Sequence, residues 1–154
     1  MYLTSWQGIN IAGMDADGEL QVTWWVPSFE GTWAQSSITE LTGGPSLDPA
    51  TVTSYVSTWD GLNVAGIDPA TGDLTVYWWS PERTEAGWAV SSLSDALPNG
   101  SPAVVSGPLD GIAPRDGSLN VFGRGASNEF IRVFWTPASG VWAADNLSAS
   151  ATPR

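Results

Sequence analysis

The sequence predicts an all-β fold built from three four-stranded repeats, and three observations carry that expectation. First, the chain says nearly the same thing three times: I-N-I-A-G-M-D from Ile9, L-N-V-A-G-I-D from Leu62 and L-N-V-F-G-R-G from Leu119. Asn10, Asn63 and Asn120 coincide, as do Gly13, Gly66 and Gly123, and the aromatic sets Trp25, Trp79, Trp135 and Trp33, Trp88, Trp142. Recurrence at a spacing of roughly 50 residues marks a repeat architecture. Second, 17 Gly and 11 Pro punctuate short apolar runs in a chain that is only 14% charged, the pattern of strands and tight turns. Third, the runs alternate with a period of two. Leu20, Val22 and Trp24 share one strand face, and Gln21, Thr23 and Trp25 share the other. In the next repeat the faces are Leu74, Val76, Trp78 and Thr75, Tyr77, Trp79. Both faces carry bulk, so both are expected to be covered, as in a sheet held between neighbours. The 154 residues make one domain with repeats at approximately 1–45, 46–100 and 101–150.

Taken in order, Tyr2 to Trp6 forms a short strand, and Gln7-Gly8 turns the chain as Asp60-Gly61 does one repeat later. Asn10 to Gly13 is a second strand. Asp15 to Gly18 turns into the third, Leu20 to Trp25, which Pro27 ends because proline cannot donate to a ladder. Trp33 to Ile38 supplies the fourth. Thr42 to Thr53 and Leu97 to Pro102 are Gly/Pro-rich linkers. The third repeat opens on the strand Ala103 to Ser106 and then carries an inserted segment, Gly107 to Arg115, before Asp116-Gly117. The polar tail from Asn146 to Arg154 is expected to fray.

Composition excludes several function classes. The net charge is −11, with no Lys, no His and five Arg, which leaves no cationic patch for nucleic acid or an anionic membrane. There is no Cys, hence no disulfide framework and no thiol chemistry. Met1 to Thr4 lacks the features of a signal peptide and no apolar stretch reaches spanning length, so a soluble chain is expected. Without His, Cys or Lys the usual bases and activated nucleophiles are missing. No carboxylate pair suited to glycoside hydrolysis recurs in a buried-looking context. Asp15-x-Asp17-Gly18 and Asp68 to Asp73 are explained by turn formation rather than calcium. No cofactor and no metal are expected, and no enzyme.

The third repeat, through Ser101-Pro-Ala-Val-Val-Ser106, Leu119 to Asn128 and Phe130 to Trp135, resembles bacterial β-propeller lectins of the PLL type. Their blades carry a strand like P-A-V-V-S-W, then L-D-V-F-x-R-G-x-D-N-x-L, a paired W-W and G-W. The first two repeats match through Trp24-Trp25, Trp78-Trp79, Trp33 and Gly87-Trp88, without the R-G-x-D-N turn. The resemblance implies that each repeat is one propeller blade, with sugar bound in shallow Trp-lined pockets between blades or at their tips. Three blades do not fill a ring. Either two chains close a six-bladed ring, three close a nine-bladed one, or the chain is part of something longer; a closed homo-oligomer is expected, with a homodimer first. The rival fold is a β-trefoil, which also has three four-stranded repeats and closes as a monomer. Tight hairpins and strands buried on both faces favour the propeller.

The candidate ligand-binding residues are Trp25, Trp79 and Trp135 at strand ends before a proline, Trp33, Trp88 and Trp142 after a loop, and Arg124 and Arg132 as hydroxyl donors. Trp24, Trp78 and Phe134, on the Leu/Val face, are expected in the core. The function expected is non-catalytic carbohydrate binding, multivalent through the repeats. The alternative is a structural or protein-interaction propeller whose tryptophans are all core.

Overall fold

The computed structural model describes residues 1–82 and 87–151. Arg83, Arg154 and the last residues of the polar tail lie outside the described residues. Three four-stranded antiparallel sheets follow one another along the chain, each with its strands in sequence order. Sheet 1 holds β1 (Tyr2–Leu3), β2 (Ile9–Met14), β3 (Leu20–Trp25) and β4 (Ala34–Ser37). Sheet 2 holds β5 (Thr53–Val56), β6 (Leu62–Ile67), β7 (Leu74–Trp79) and β8 (Ala89–Ser92). Sheet 3 holds β9 (Ser106–Ile112), β10 (Leu119–Arg124), β11 (Phe130–Trp135) and β12 (Trp142–Asn146). The repeats superpose in register: Asn10 stands opposite Trp24, Asn63 opposite Trp78 and Asn120 opposite Phe134.

The sheets bury one another's faces. Leu20, Val22 and Ile38 of sheet 1 pack with Val64 and Tyr77 of sheet 2, and Leu47 completes that cluster. The opposite face of sheet 2, with Ala65, Leu74 and Val76, packs on Val121, Ile131 and Val133 of sheet 3. Every residue of β6 is buried as a result. Burying one such Leu or Val contributes about 1.5–3 kcal/mol. The expectation of two covered faces holds for sheet 2 alone. On the outer face of sheet 1 Ile11 is 47% exposed, whereas its equivalents Val64 and Val121 are at 0%. On the outer face of sheet 3 Phe130 is 48% exposed, whereas Leu20 and Leu74 are at 0% and 1%.

Three features correct the sequence reading. Each fourth strand ends at a cap and a short helix: α1 (Ile38–Thr42), α2 (Leu93–Ala96) and α3 (Leu147–Ser150). Ser37, Ser92 and Asn146 accept the backbone N–H three residues on, satisfying a donor that the helix start would otherwise leave unpaired. The second helical residue then accepts from the first N–H of the third strand, Leu20 to Thr39, Leu74 to Ser94 and Phe130 to Ser148, at 3.1, 2.9 and 2.8 Å. Second, Gly107 to Arg115 is no insertion. Most of it is β9, the first strand of sheet 3, while Ala103 to Val105 is not a strand. Pro108 is tolerated because β9 pairs only with β10, and Gly111 is needed because a Cβ there would press on the Tyr55 ring. Third, the connecting segments reach into the core: Leu47, and Val104 from the stretch expected as a strand, are each 1% exposed and wedge between sheets.

That wedging explains two of the recurrent glycines. A Cβ on Gly66 would meet Leu47 Cδ1 at 2.8 Å, and one on Gly123 would press on Val104 and Leu109. The equivalent Gly13 meets nothing within 4 Å. Gly66→Ala and Gly123→Ala are therefore expected to lower stability by about 1–3 kcal/mol through overpacking. Gly13→Ala should stay within about 0.5 kcal/mol of the parent. Urea denaturation midpoints of the three variants check this ordering.

Candidate functional site

The stacking leaves a pocket at each of the two junctions, and the two are built from the same positions. Between sheets 1 and 2, a cavity of about 220 Å³ is lined by Asn10, Val22, Trp24, Leu62, Trp79 and Trp88. Between sheets 2 and 3, one of about 370 Å³ is lined at the equivalent positions by Asn63, Val76, Trp78, Leu119, Trp135 and Trp142. Trp59, Ser80, Glu82 and Ser91 add to the larger pocket. The strand period makes this composition. Val and Trp two apart on the third strand face forward, and the register sets the Asn beside that Trp. The next repeat contributes the alternate face of its own third strand, through Trp79 or Trp135.

Second contacts hold the rings. Trp78 Nε1 donates to Ser91 Oγ at 3.2 Å. Trp6, in the β1–β2 turn, meets Trp79 of the next sheet edge-on with centroids 6.2 Å apart. Trp59 meets Trp135 in the same way at 5.9 Å. The buried Asn63 amide donates to Gly61 O at 3.1 Å, fixing its orientation. Such walls offer indole faces with a few fixed polar groups, the chemistry of a site that stacks a ring and hydrogen-bonds its rim.

The third repeat departs from this plan. Gln7, Asp60 and Gly117 all have positive φ, 64°, 62° and 79°, so they are equivalent turn positions. Asp116 thus stands where Trp6 and Trp59 stand. The turn is held differently as well. Thr4 and Ser57 hydroxyls accept from Gly8 N and Gly61 N at 2.9 and 2.8 Å. In the third repeat Pro114 has no hydroxyl, and Asp116 Oδ1 accepts from Ser118 N at 2.9 Å instead.

Of the eight residues expected from the sequence, Trp79, Trp88, Trp135 and Trp142 line the two pockets. Trp25 and Trp33 lie on sheet 1 away from both, with Trp33 49% exposed. Arg124 and Arg132 lie on the forward face of sheet 3, outside both pockets. Arg124 sits over the Phe130 ring at 4.3 Å and donates to Asn128 O at 3.2 Å. Arg132 sits over Phe134 at 3.9 Å, 3.8 Å from Asp145 Oδ2. Trp24 and Trp78, expected in the core, are half-buried pocket walls, because the strand ends extend past the covered centre of each sheet. Asn10 and Asn63 were not singled out for binding, although an amide recurring at a buried strand position was the available signal.

Among the described residues no group of three or more acidic, Cys or His side chains is placed to hold a metal, and no helix is long and apolar enough to cross a membrane. Asp15 Oδ1 accepts from Asp17 N and Glu19 N, each at 2.9 Å, and Asp68 Oδ1 accepts from Ala70 N at 2.8 Å. These carboxylates build turns.

No protein-family model matches the chain, and no curated protein matches it. Among solved structures it is similar to a crystal structure of an arginine-to-alanine triple mutant of AofleA from Arthrobotrys oligospora, with a TM-score of 0.69 and 18% identity. The match covers 94% of this chain and 39% of that one, so this chain spans about two fifths of its length. At that identity the likeness is one of fold.

The turn carboxylates set an acid limit. Backbone donation from Glu19 and the Gln21 amide hold Asp15 below the ordinary value of 3.8, and Ser118, with a smaller part from the Arg132 charge, does the same for Asp116. A folded pKa below the unfolded one gives stability that is present above the unfolded value and lost as pH falls through the folded one. The double variant Asp15→Asn, Asp116→Asn is therefore expected to flatten the fall in Tm below pH 3.8, as thermal melts from pH 6 to pH 2 would show.

Proposed function

We propose that this chain is a non-catalytic, lectin-like protein that binds glycans in the pockets between successive blades of a β-propeller. The observation that carries this reading is the reuse of one pocket composition at both junctions: an Asn, a Val, a Leu and three tryptophans. Core packing alone calls for area and leaves no reason to keep two half-open cavities with the same polar group in each. Sugars present C–H faces that stack on indole and hydroxyls that need fixed partners. Cavities of 220 and 370 Å³ suit one ring or two better than an extended ligand. Repetition of weak sites raises overall affinity through avidity.

The lectin-like third repeat and the fold likeness to AofleA support the same reading.

The test is a glycan array followed by titration calorimetry with the best binder. Trp88→Ala and Trp142→Ala should each weaken one pocket about tenfold or more, roughly 1.4 kcal/mol, and leave the other unchanged. No array signal at high protein concentration, with a folded chain, would remove the carbohydrate reading and favour a structural or protein-interaction role.

A further inference from the structure

Among the described residues two sheet faces are uncovered, and the internal junctions show what covers their equivalents. At both junctions the forward face of one repeat meets the rear face of the next. The forward face of sheet 3 and the rear face of sheet 1 are the pair left over. Phe130 and Ile112 on the first are 48% and 51% exposed, and Ile11 and Leu3 on the second are 47% and 66% exposed. The whole chain exposes 8473 Å², about 1,000 Å² more than size scaling gives for a compact chain of this mass. That excess is about what one partner contributes to a stable interface, roughly 800 Å².

Continuing the register by one step builds a further pocket. Asn120, Arg132 and Phe134 take the places of Asn63, Val76 and Trp78, and Ile9, Trp25 and Trp33 take those of Leu119, Trp135 and Trp142. Its chemistry is unlike the other two, through three coordinated changes. Arg132 replaces Val22 and Val76. Asp145, paired with Arg132, replaces Ser36 and Ser91, which pair with those valines. Asp116 replaces the turn residues Trp6 and Trp59.

We propose that two copies of this chain stack sheet 3 on sheet 1 and complete a third kind of glycan site at each junction. In it Arg132 donates to, and Asp116 and Asp145 accept from, neighbouring hydroxyls of a neutral sugar, while Trp25 and Trp33 of the second copy close the wall. The proposal rests on the carbohydrate reading above. Arg132 is held for this task. Its guanidinium carbon sits 3.9 Å over the Phe134 ring and, among the described residues, its buried Nε has no partner and its ion pair with Asp145 is long, at 3.8 Å. Planar donors fixed beside acceptors match adjacent hydroxyls. Two carboxylates around one guanidinium, on a chain of net charge −11, disfavour an anionic ligand.

The experiment is calorimetric stoichiometry of the full chain with the methyl glycosides of galactose, mannose and glucose, and with glucuronate as the anionic comparator. Arg132→Val restores the residue of the other repeats, so it is expected to fold. It and Trp33→Ala should each lose one site in three per chain. A 1:1 mixture of the two variants, dissociated and reassociated, should regain about a quarter of the lost sites, because one junction of each mixed dimer is intact. Unchanged stoichiometry in both variants, or no regain in the mixture, would overturn the shared site while the internal pockets still titrate. Preference of the Arg132-dependent site for glucuronate would overturn its hydroxyl-directed chemistry. Binding of none of the four by a parent that also gives no glycan-array signal would remove the carbohydrate reading itself.

Discussion

A β-sheet with apolar side chains on both faces cannot stand alone in water, and everything else in this protein depends on how the repeats meet that constraint. The middle sheet gives one face to the repeat before it and the other to the repeat after it, and each outer sheet gives it one face in return. The centre of each junction is closed by Leu, Val, Ile and Tyr side chains, with Leu47 and Val104 wedged in from the connecting segments. The edge of the junction, where the third strands end in tryptophan, is not filled, and that is where the pockets lie. Packing and binding are thus two ends of the same strands, which is why the same alternation that builds the core also builds the candidate sites.

Much of the architecture was legible because it is written in a period of two and repeated three times. The strands of the second and third positions and their register through Asn10, Asn63 and Asn120 follow from that pattern. The first strand of the third repeat was hidden. Gly107, Pro108 and Gly111 read as loop residues, yet an edge strand tolerates the proline and the Tyr55 ring requires the glycine. The short helices were missed although Ser37-Ile-Thr-Glu40 is a helix-start signature, because four or five residues are too few to show helical periodicity. Nor could the sequence say which tryptophans pair across a junction, since that depends on which face meets which neighbour.

The departures among the repeats are as informative as the likeness. Valine becomes Arg132, serine becomes Asp145 and tryptophan becomes Asp116, all on one face of the last sheet. Separately each is an ordinary surface substitution. Placed by the register, they converge on one position in the junction plan, where a neutral wall becomes a set of fixed donors and acceptors. Arg124, by contrast, is engaged within its own hairpin by Asn128 and Phe130. The two arginines that read alike in the sequence therefore have different surroundings, and only Arg132 stands at a pocket position.

The central claim is that the space between stacked sheets, and not the loop tips, receives the ligand. A crystal structure of the protein soaked with the strongest glycoside tests it most directly. The account predicts a sugar ring lying against Trp88 in the smaller pocket and against Trp142 in the larger, with a hydroxyl within hydrogen-bonding reach of Asn10 or Asn63. A sugar held on a turn away from these tryptophans, or pockets that stay unoccupied at saturating ligand, would contradict it.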